Sequence, residues 1–355
     1  MIGPIQLRPE RVGEELRRFG EKLLRGGRNL SELPEVTVGV TPREAVYRED
    51  KLTLYRFVGE QPASEKVPLL IVYALVNRPY MVDLQQDRSI VRQLLAAGHE
   101  VYLIDWGYPD ASDCCLTLDD YIAGYIRNCV RELQRRHHLP SVNVIGVCQG
   151  GAFSVCYASL FPESVRNLIT MVTPIDFHTP DNMLSNWTRE IDVDRMVDTL
   201  GNVPADLMNW CYLTLKPYRL LQQKYVGLTD ILDDPAELEN FLRMEQWIFD
   251  SPDQAGAAFR QFIKDFYQGN KLVNGGLAIG DRVIDPRRID MPVLNIYAEQ
   301  DHLVPPDASR ALKRIVGSSD YSELCFKGGH IGIYVSGRAQ REVPPAINQW
   351  LRARR

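Results

Sequence analysis

Apolar residues follow two different periodicities along most of the chain. Short continuous apolar runs, such as 69–76, 101–104 and 142–147, are separated by longer stretches with apolar residues at helical spacing. A strand that is apolar throughout is typical of a sheet covered on both faces, and strands that alternate with helices predict parallel pairing. The pattern therefore predicts an α/β protein with a mostly parallel central sheet and helices on both faces.

The predicted elements follow one another regularly up to residue 172. Two short runs, 45–49 and 52–58, predict a hairpin that turns at Asp50 and Lys51. An amphipathic helix is predicted at 9–26, ahead of the sheet. The elements after the hairpin are predicted as strands at 69–76, 101–104, 142–147 and 168–172, and helices at 89–97, 118–136 and 152–161.

The alternation of strands and helices stops at Thr173 and Pro174 and resumes near residue 290. Between these points, tryptophans and prolines interrupt stretches of helical spacing, which predicts a mainly helical cap inserted into the sheet. We therefore predict a core segment at 1–176, a cap at 177–289 and a second core segment at 290–355, with strands at 292–297 and 322–326 and a helix at 344–351.

The strand predicted at 142–147 runs into a tight turn that carries Cys148. Residues 146–150 have the spacing G-x-C-x-G, in which the residue at the apex of a strand-to-helix turn is a nucleophile. Small residues two positions before and two positions after the apex let the two backbones pass closely. Because cysteine is common in protein cores, this motif alone indicates catalysis only weakly.

Two later residues supply the partners that such a nucleophile needs. Asp301 follows the strand predicted at 292–297, and His330 follows the last predicted strand. Taken singly, Asp301 is also typical of a turn and His330 of a loop, and His302 competes for the role of base. The order Cys148, Asp301, His330 is that of the α/β-hydrolase fold, so these three residues are the predicted catalytic set.

Oxyanion donors are backbone N–H groups, so their positions follow from topology. The N–H of Gln149, the residue after the nucleophile, is predicted to be one donor. The second is predicted in the loop after the 69–76 strand, at Val76 or Asn77. No group of cysteines, histidines and carboxylates has metal-ligand spacing, so we predict no metal site.

Composition and charge indicate which classes of binding partner and which cellular location to expect. A net charge of -5 with 25% charged residues gives no basic excess, so nucleic acid is not an expected partner. The apolar run 69–76 is too short to cross a bilayer, and the first residues lack the pattern of a signal peptide. The 7 cysteines include no C-x-x-C pair, which predicts free thiols in a reducing cytoplasm.

At these positions the chain resembles the polyhydroxyalkanoate synthases, cysteine-dependent relatives of the lipases. Because the longer class I and II synthases carry an additional N-terminal domain, the resemblance implies the catalytic subunit of a class III, or else class IV, synthase. It also implies a second, non-catalytic subunit, a homo-oligomer and a cytoplasmic location on polyester granules. The resemblance rests on the segment VYALVNRPY at 72–80, Asp105-Trp106-Gly107, the box GVCQGG at 146–151, Asp301, and Gly329-His330.

The implied reaction is polymerisation of (R)-3-hydroxyacyl-CoA thioesters, chiefly 3-hydroxybutyryl-CoA, with release of CoA. Cys148 would carry the acyl group, His330 would deprotonate it, and His330, or Asp301 through it, would activate the attacking 3-hydroxyl. No nucleotide fingerprint is present, so CoA is expected as a leaving group and no cofactor is predicted. Two other functions stay open: a cysteine-dependent thioesterase on the same fold, and a non-enzymatic granule scaffold.

Overall fold

A computed structural model describes residues 36–215 and 224–354, together with scattered residues between 14 and 27. Every residue predicted to take part in catalysis lies in the larger of two compact units. The predicted division into core and cap at 177 and 289 stays a prediction. The larger unit comprises Val38–Met208 and Asp250–Arg355, and the smaller unit comprises Met1–Thr37 and Asn209–Phe249.

The larger unit is built on one sheet of eight strands, in the order β1-β2-β4-β3-β5-β6-β7-β8. β2 is antiparallel to both of its neighbours, and all other neighbouring strands are parallel. The mostly parallel sheet predicted from the sequence is therefore confirmed. The strands are β1 (Arg43–Glu49), β2 (Leu52–Phe57), β3 (Leu69–Val72), β4 (Val101–Asp105), β5 (Val142–Val147), β6 (Val165–Met171), β7 (Val293–Ala298) and β8 (Tyr321–Phe326).

The α-helices alternate with these strands and also make up most of the described residues between β6 and β7. The described residues also include two π-helical segments, Asp120–Ile126 directly before α2 and Ile263–Gln268 directly after α9. The α-helices are α1 (Ile90–Ala96), α2 (Arg127–His137), α3 (Gln149–Leu160), α4 (Met183–Thr188), α5 (Val193–Leu200), α6 (Ala205–Thr214), α7 (Lys224–Ile231), α8 (Pro235–Phe249), α9 (Gly256–Phe262), α10 (Lys271–Asn274), α11 (Pro306–Arg310), α12 (Leu312–Ile315), α13 (Gly332–Val335) and α14 (Gly337–Arg352).

The register of the parallel strands brings their carboxyl ends to one edge of the sheet. Val72 pairs with Gly146, Gly146 with Thr170, and Thr170 with Asn295. Asn295 in turn pairs with Glu323 on β8. Because ligands of such sheets bind beyond the carboxyl ends of the strands, the loops after β3, β5, β7 and β8 are placed to build one site.

The strand predicted at 69–76 is too long, since β3 ends at Val72. The next three residues are buried but leave the ladder. The indole Nε1 of Trp106 donates a hydrogen bond to the Tyr73 carbonyl at 3.0 Å, and the Leu75 N–H donates to Oε1 of Gln149 at 3.0 Å. A continuous apolar run indicates burial and not strand pairing, which is why the sequence extended β3 too far.

Other predicted elements are confirmed, in full or in part. The predicted hairpin is confirmed by antiparallel pairing of β1 with β2, with Asp50 at φ 49° in the turn. The long helix predicted at 118–136 is present, but its first part is the π-helical segment 120–126. The described residues between β6 and β7 are mainly helical, as predicted, and no helix in the described part of the chain is long and apolar enough to cross a membrane.

The smaller unit contains α7, α8 and the described part of the predicted N-terminal helix. The described residues between Glu14 and Gly27 are helical, whereas most of the apolar residues behind that prediction lie outside the described ones. Nζ of Lys22 donates to the Asp230 carbonyl at 3.0 Å, and Nε of Arg243 donates to the Thr37 carbonyl at 2.9 Å. The N-terminal segment therefore packs against α7 and α8.

Candidate active site

Cys148 occupies the junction between β5 and α3. Its φ of 53° and ψ of -123° lie where residues other than glycine are seldom found, at a cost of about 1–3 kcal/mol. Its N–H donates to the Met171 carbonyl at 2.9 Å, and its own carbonyl accepts from the Gly151 N–H at 2.9 Å. These bonds hold a partly exposed thiol at the apex of the turn, beyond the carboxyl end of β5.

Glycines on both sides of Cys148 let α3 approach the sheet. A Cβ on Gly146 would lie 2.5 Å from the Cα of Gly151, and a Cβ on Gly150 would lie 2.3 Å from the Val72 carbonyl oxygen. Both distances are far below a van der Waals contact, and both obstacles are backbone atoms that cannot rotate away. The two small positions of the G-x-C-x-G spacing therefore have the steric role that the sequence predicts.

A hydrogen bond joins His330 to Asp301. Nδ1 of His330 lies 2.7 Å from Oδ2 of Asp301, and their side chains are 7% and 0% exposed. The other carboxylate oxygen, Oδ1, accepts the N–H groups of Leu303 and Val304, each at 2.9 Å. Of the two competing histidines, the structure thus pairs His330 with an acid whose orientation is fixed by three hydrogen bonds.

Charges on both sides of His330 set its protonation. Burial by itself lowers the pKa of His330, but the charges of Asp301 and of nearby Cys148, together with the hydrogen bond to Asp301, outweigh it and raise the pKa from 6.5 to about 10. Negative charge beside the ring thus favours the imidazolium form of His330. The structure brings the three predicted residues together: His330 is hydrogen-bonded to Asp301, and Cys148 lies near enough to His330 to raise its pKa. We call Cys148, His330 and Asp301 the catalytic series.

The three predicted oxyanion donors have different backbone surroundings. Gln149 is the first residue of α3, where backbone N–H groups have no acceptor within the helix. Among the described residues, no acceptor is hydrogen-bonded to the Val76 N–H. Asn77, the alternative donor, has φ 60°, and its side-chain Nδ2 donates to Oγ of Ser251 at 2.6 Å.

Two buried tyrosines near the site were missed by the sequence analysis. The ring of Tyr334 meets His330 edge-on, with centroids 6.3 Å apart, and its hydroxyl has no hydrogen-bond partner in the described part of the chain. Burial, and after it nearby charges that include Cys148, raise the pKa of both Tyr73 and Tyr334, so both phenols stay neutral. Tyr334 follows His330 by about one helical turn, a spacing that could have indicated it.

Metal ligation has no support in the described residues. No group of three or more His, Cys, Asp or Glu side chains in ranges 36–215 and 224–354 could hold a metal ion.

Comparison with known proteins decides the family. A profile described as the alpha/beta hydrolase fold matches residues 67–336, and one described as the N-terminus of poly-beta-hydroxybutyrate polymerase (PhaC) matches residues 15–94. The poly(3-hydroxyalkanoate) polymerase subunit PhaC of Allochromatium vinosum is 59% identical over 353 residues, covering 99% of both chains. The chain belongs to the poly(3-hydroxyalkanoate) polymerase family.

Other relatives of this polymerase agree with that assignment. The subunit of the same name from Synechocystis sp. is 54% identical over 348 residues, covering 95% of this chain and 91% of the relative. Among solved structures, the monoacylglycerol lipase of Paleococcus ferrophilus has a TM-score of 0.52 at 16% identity, covering 85% of this chain and 99% of that one. At such low identity the lipase shows the fold alone, and it confirms the predicted α/β-hydrolase fold.

A methyl group at Gly150 tests the close approach of α3 in this polymerase. Gly150→Ala places a Cβ 2.3 Å from the Val72 carbonyl oxygen, so we expect a loss of about 2–3 kcal/mol in the free energy of unfolding. Chemical denaturation monitored by circular dichroism measures this loss. Gly124→Ala is the matched control, because its Cβ would meet nothing closer than 3.8 Å. Equal midpoints for the two variants would contradict the steric role of Gly150.

The raised pKa of His330 predicts how stability depends on pH. Since the pKa is 6.5 in the unfolded chain and about 10 in the folded one, the stabilisation is complete below pH 6.5 and is lost as the pH rises through 10. Asp301→Asn removes the main favourable charge and should flatten this slope in denaturation midpoints measured across that range. Asp307→Asn, an exposed carboxylate on α11, should keep the slope. An unchanged slope in Asp301→Asn would contradict the pairing.

Proposed function

We propose that this chain is the catalytic subunit of a class III polyhydroxyalkanoate synthase. It polymerises short-chain (R)-3-hydroxyacyl-CoA, chiefly 3-hydroxybutyryl-CoA, and releases CoA. The observation that carries the proposal is the hydrogen-bonded pair His330–Asp301 with Cys148 close by, at the carboxyl edge of the sheet. It is supported by relatives named as polymerase subunits, at 59% and 54% identity.

Acylation begins with the thiolate of Cys148, which the neighbouring imidazolium of His330 stabilises. The sulfur attacks the carbonyl carbon of the acyl-CoA thioester, and the oxyanion that develops accepts hydrogen bonds from the N–H groups of Gln149 and Val76. The bond from carbon to the CoA sulfur then breaks, and the CoA thiolate takes a proton from His330. One thioester replaces another, so the step has little net cost.

Elongation transfers the acyl group from sulfur to oxygen. The 3-hydroxyl of one acyl group attacks the thioester carbonyl of another, His330 accepts the hydroxyl proton, and an ester bond forms as the bond to sulfur breaks. Asp301 is fully buried and both of its oxygens are already engaged by His330, Leu303 and Val304. This arrangement supports His330 as the base and Asp301 as the group that orients it.

Water would divert the acyl-enzyme to a free acid, so the surroundings of Cys148 decide between polymerisation and hydrolysis. The residues around the catalytic series support a site poor in water. Tyr73, Leu75 and Tyr334 are all buried, and both phenols are neutral. A buried, apolar surrounding also strengthens the electrostatic interactions of the developing oxyanion.

We further propose that the chain acts with a second, non-catalytic subunit, as a homo-oligomer, in the cytoplasm on the surface of polyester granules. The relatives' names, which call each of them a polymerase subunit, support an assembly of more than one kind of chain. CoA takes part as the leaving group, and the site chemistry requires no separate cofactor.

Removal of the thiol tests the proposal. Cys148→Ala should lower CoA release from 3-hydroxybutyryl-CoA by a factor of about 10⁴ or more while the chain remains folded, as circular dichroism would show. A thiol assay of released CoA, together with turbidity from insoluble polyester, measures both products. Cys325→Ala, an exposed cysteine on β8, is the matched control and should keep the wild-type rate.

Each alternative has its own outcome in the same assays. Free 3-hydroxybutyrate in place of polyester from the wild-type chain would identify a thioesterase. Undiminished polyester formation by Cys148→Ala would contradict the acyl-cysteine route. A wild-type chain that releases no CoA and still binds granules would identify a scaffold.

A further inference from the structure

Two glutamine side chains hold the peptide groups on either side of Leu75. Oε1 of Gln149 accepts the Leu75 N–H at 3.0 Å, and Nε2 of Gln254 donates to the Leu75 carbonyl at 3.1 Å. Gln254 is 4% exposed, and its amide also donates to the Pro252 carbonyl at 3.1 Å. We call Gln149, Leu75 and Gln254 the glutamine clamp.

The two ends of the glutamine clamp come from different parts of the chain. Gln149 directly follows Cys148 and begins α3. Gln254 lies in the predicted cap, just before α9, where its N–H and C=O pair with the backbone of Val203 at 2.9 Å each. The clamp therefore joins the turn at Cys148, the loop after β3 and a segment of the cap.

Peptide geometry connects this clamp to the oxyanion. The carbonyl of Leu75 and the N–H of Val76 belong to one peptide group, and in a trans peptide they point in opposite directions. By fixing the Leu75 carbonyl, Gln254 also fixes the direction of the Val76 N–H. That N–H is the proposed second oxyanion donor, and no acceptor among the described residues engages it.

The cap segment that carries Gln254 is itself braced against core loops. Nδ2 of Asn77 donates to Oγ of Ser251 at 2.6 Å, and the hydroxyl of Tyr108 donates to Oδ1 of Asp250 at 2.5 Å. Residues 250–254 thus contact the loop after β3 on both sides of Val76. A bonded, buried amide in a braced segment has little freedom to turn, which suits a group that must hold a peptide in one orientation.

We propose that Gln254 is a positioning residue that sets the oxyanion hole from the cap. Its amide holds the Leu75–Val76 peptide so that the Val76 N–H faces the thioester carbonyl at Cys148, while Gln149 holds the preceding peptide. Without Gln254 this peptide is free to rotate, and a rotated peptide presents a carbonyl oxygen in place of the donor. The inference rests on the proposed function, and it makes residues 250–254 of the cap a requirement for acylation.

Gln254→Leu tests the inference because it removes the amide at similar size. Single-turnover CoA release from 3-hydroxybutyryl-CoA by the full chain should slow about 10- to 100-fold, with KM within about twofold, since one misplaced oxyanion donor costs up to about 10²–10³. Alkylation of Cys148 by iodoacetamide forms no oxyanion, so its rate should stay within about twofold of wild type. A purely structural defect at the turn would slow both reactions alike.

A second glutamine of the cap provides the matched control. Nε2 of Gln268 donates to the Thr188 and Ile191 carbonyls at 3.0 and 2.9 Å, away from Leu75. Gln268→Leu removes the same kind of bonds and should acylate within about twofold of wild type. Gln254→Glu keeps the shape but places an acceptor against the Leu75 carbonyl, so it should be at least as slow as Gln254→Leu and serves if the leucine variant does not fold.

The outcomes separate this inference from the proposed function. Acylation by Gln254→Leu or Gln254→Glu at the wild-type rate would overturn the positioning role, as would equal slowing of acylation and alkylation. A wild-type chain that releases no CoA from the thioester would overturn the proposed function instead. Slow acylation with unchanged alkylation, and a normal Gln268→Leu, are the results expected here.

Discussion

The backbone of Cys148 lies in a conformation that an isolated cysteine would avoid, and the close approach of α3 to the sheet keeps it there. Gly146 and Gly150 allow that approach, because the carbonyl oxygen of Val72 lies so close to Gly150 that no side chain would fit there. Because the nucleophile is held at the apex of the turn, its thiol stands beyond the sheet edge. The loops after β7 and β8 reach the same edge, since β7 pairs in parallel with β6 and β8 pairs in parallel with β7. The site is thus a consequence of one sheet edge and one strained turn.

The chemistry of this site depends on the charges that surround His330. The carboxylate of Asp301 is buried and takes part in three hydrogen bonds, which fix its orientation toward His330. Its charge, together with that of nearby Cys148, raises the pKa of His330 to about 10. Neutral phenols at Tyr73 and Tyr334 complete the surroundings without competing for the proton. In the proposed mechanism, the imidazole of His330 gives its proton to the leaving CoA and takes another from the attacking hydroxyl.

The sequence predicted most of the fold and the grouping of Cys148, Asp301 and His330, because both depend on local pattern and chain order. Strand and helix periodicity located the parallel sheet, and the order Cys148, Asp301, His330 followed from it. Three features were not predicted from the sequence, because they depend on hydrogen bonds that leave no periodic pattern of residues. β3 stops at Val72 although the apolar run continues, the first part of the helix predicted at 118–136 is π-helical, and Gln254 meets a backbone carbonyl from 179 residues away in the chain.

The proposed mechanism requires that the sulfur of Cys148 carries an acyl group. The most direct measurement is mass spectrometry of peptides from the full chain, quenched in acid within the first turnover of 3-hydroxybutyryl-CoA. The account predicts a mass increase of one 3-hydroxybutyryl group on the peptide that contains Cys148, and its loss on treatment with hydroxylamine, which cleaves thioesters. Turnover with the acyl group on another residue, or with no covalent adduct at any time, would contradict it.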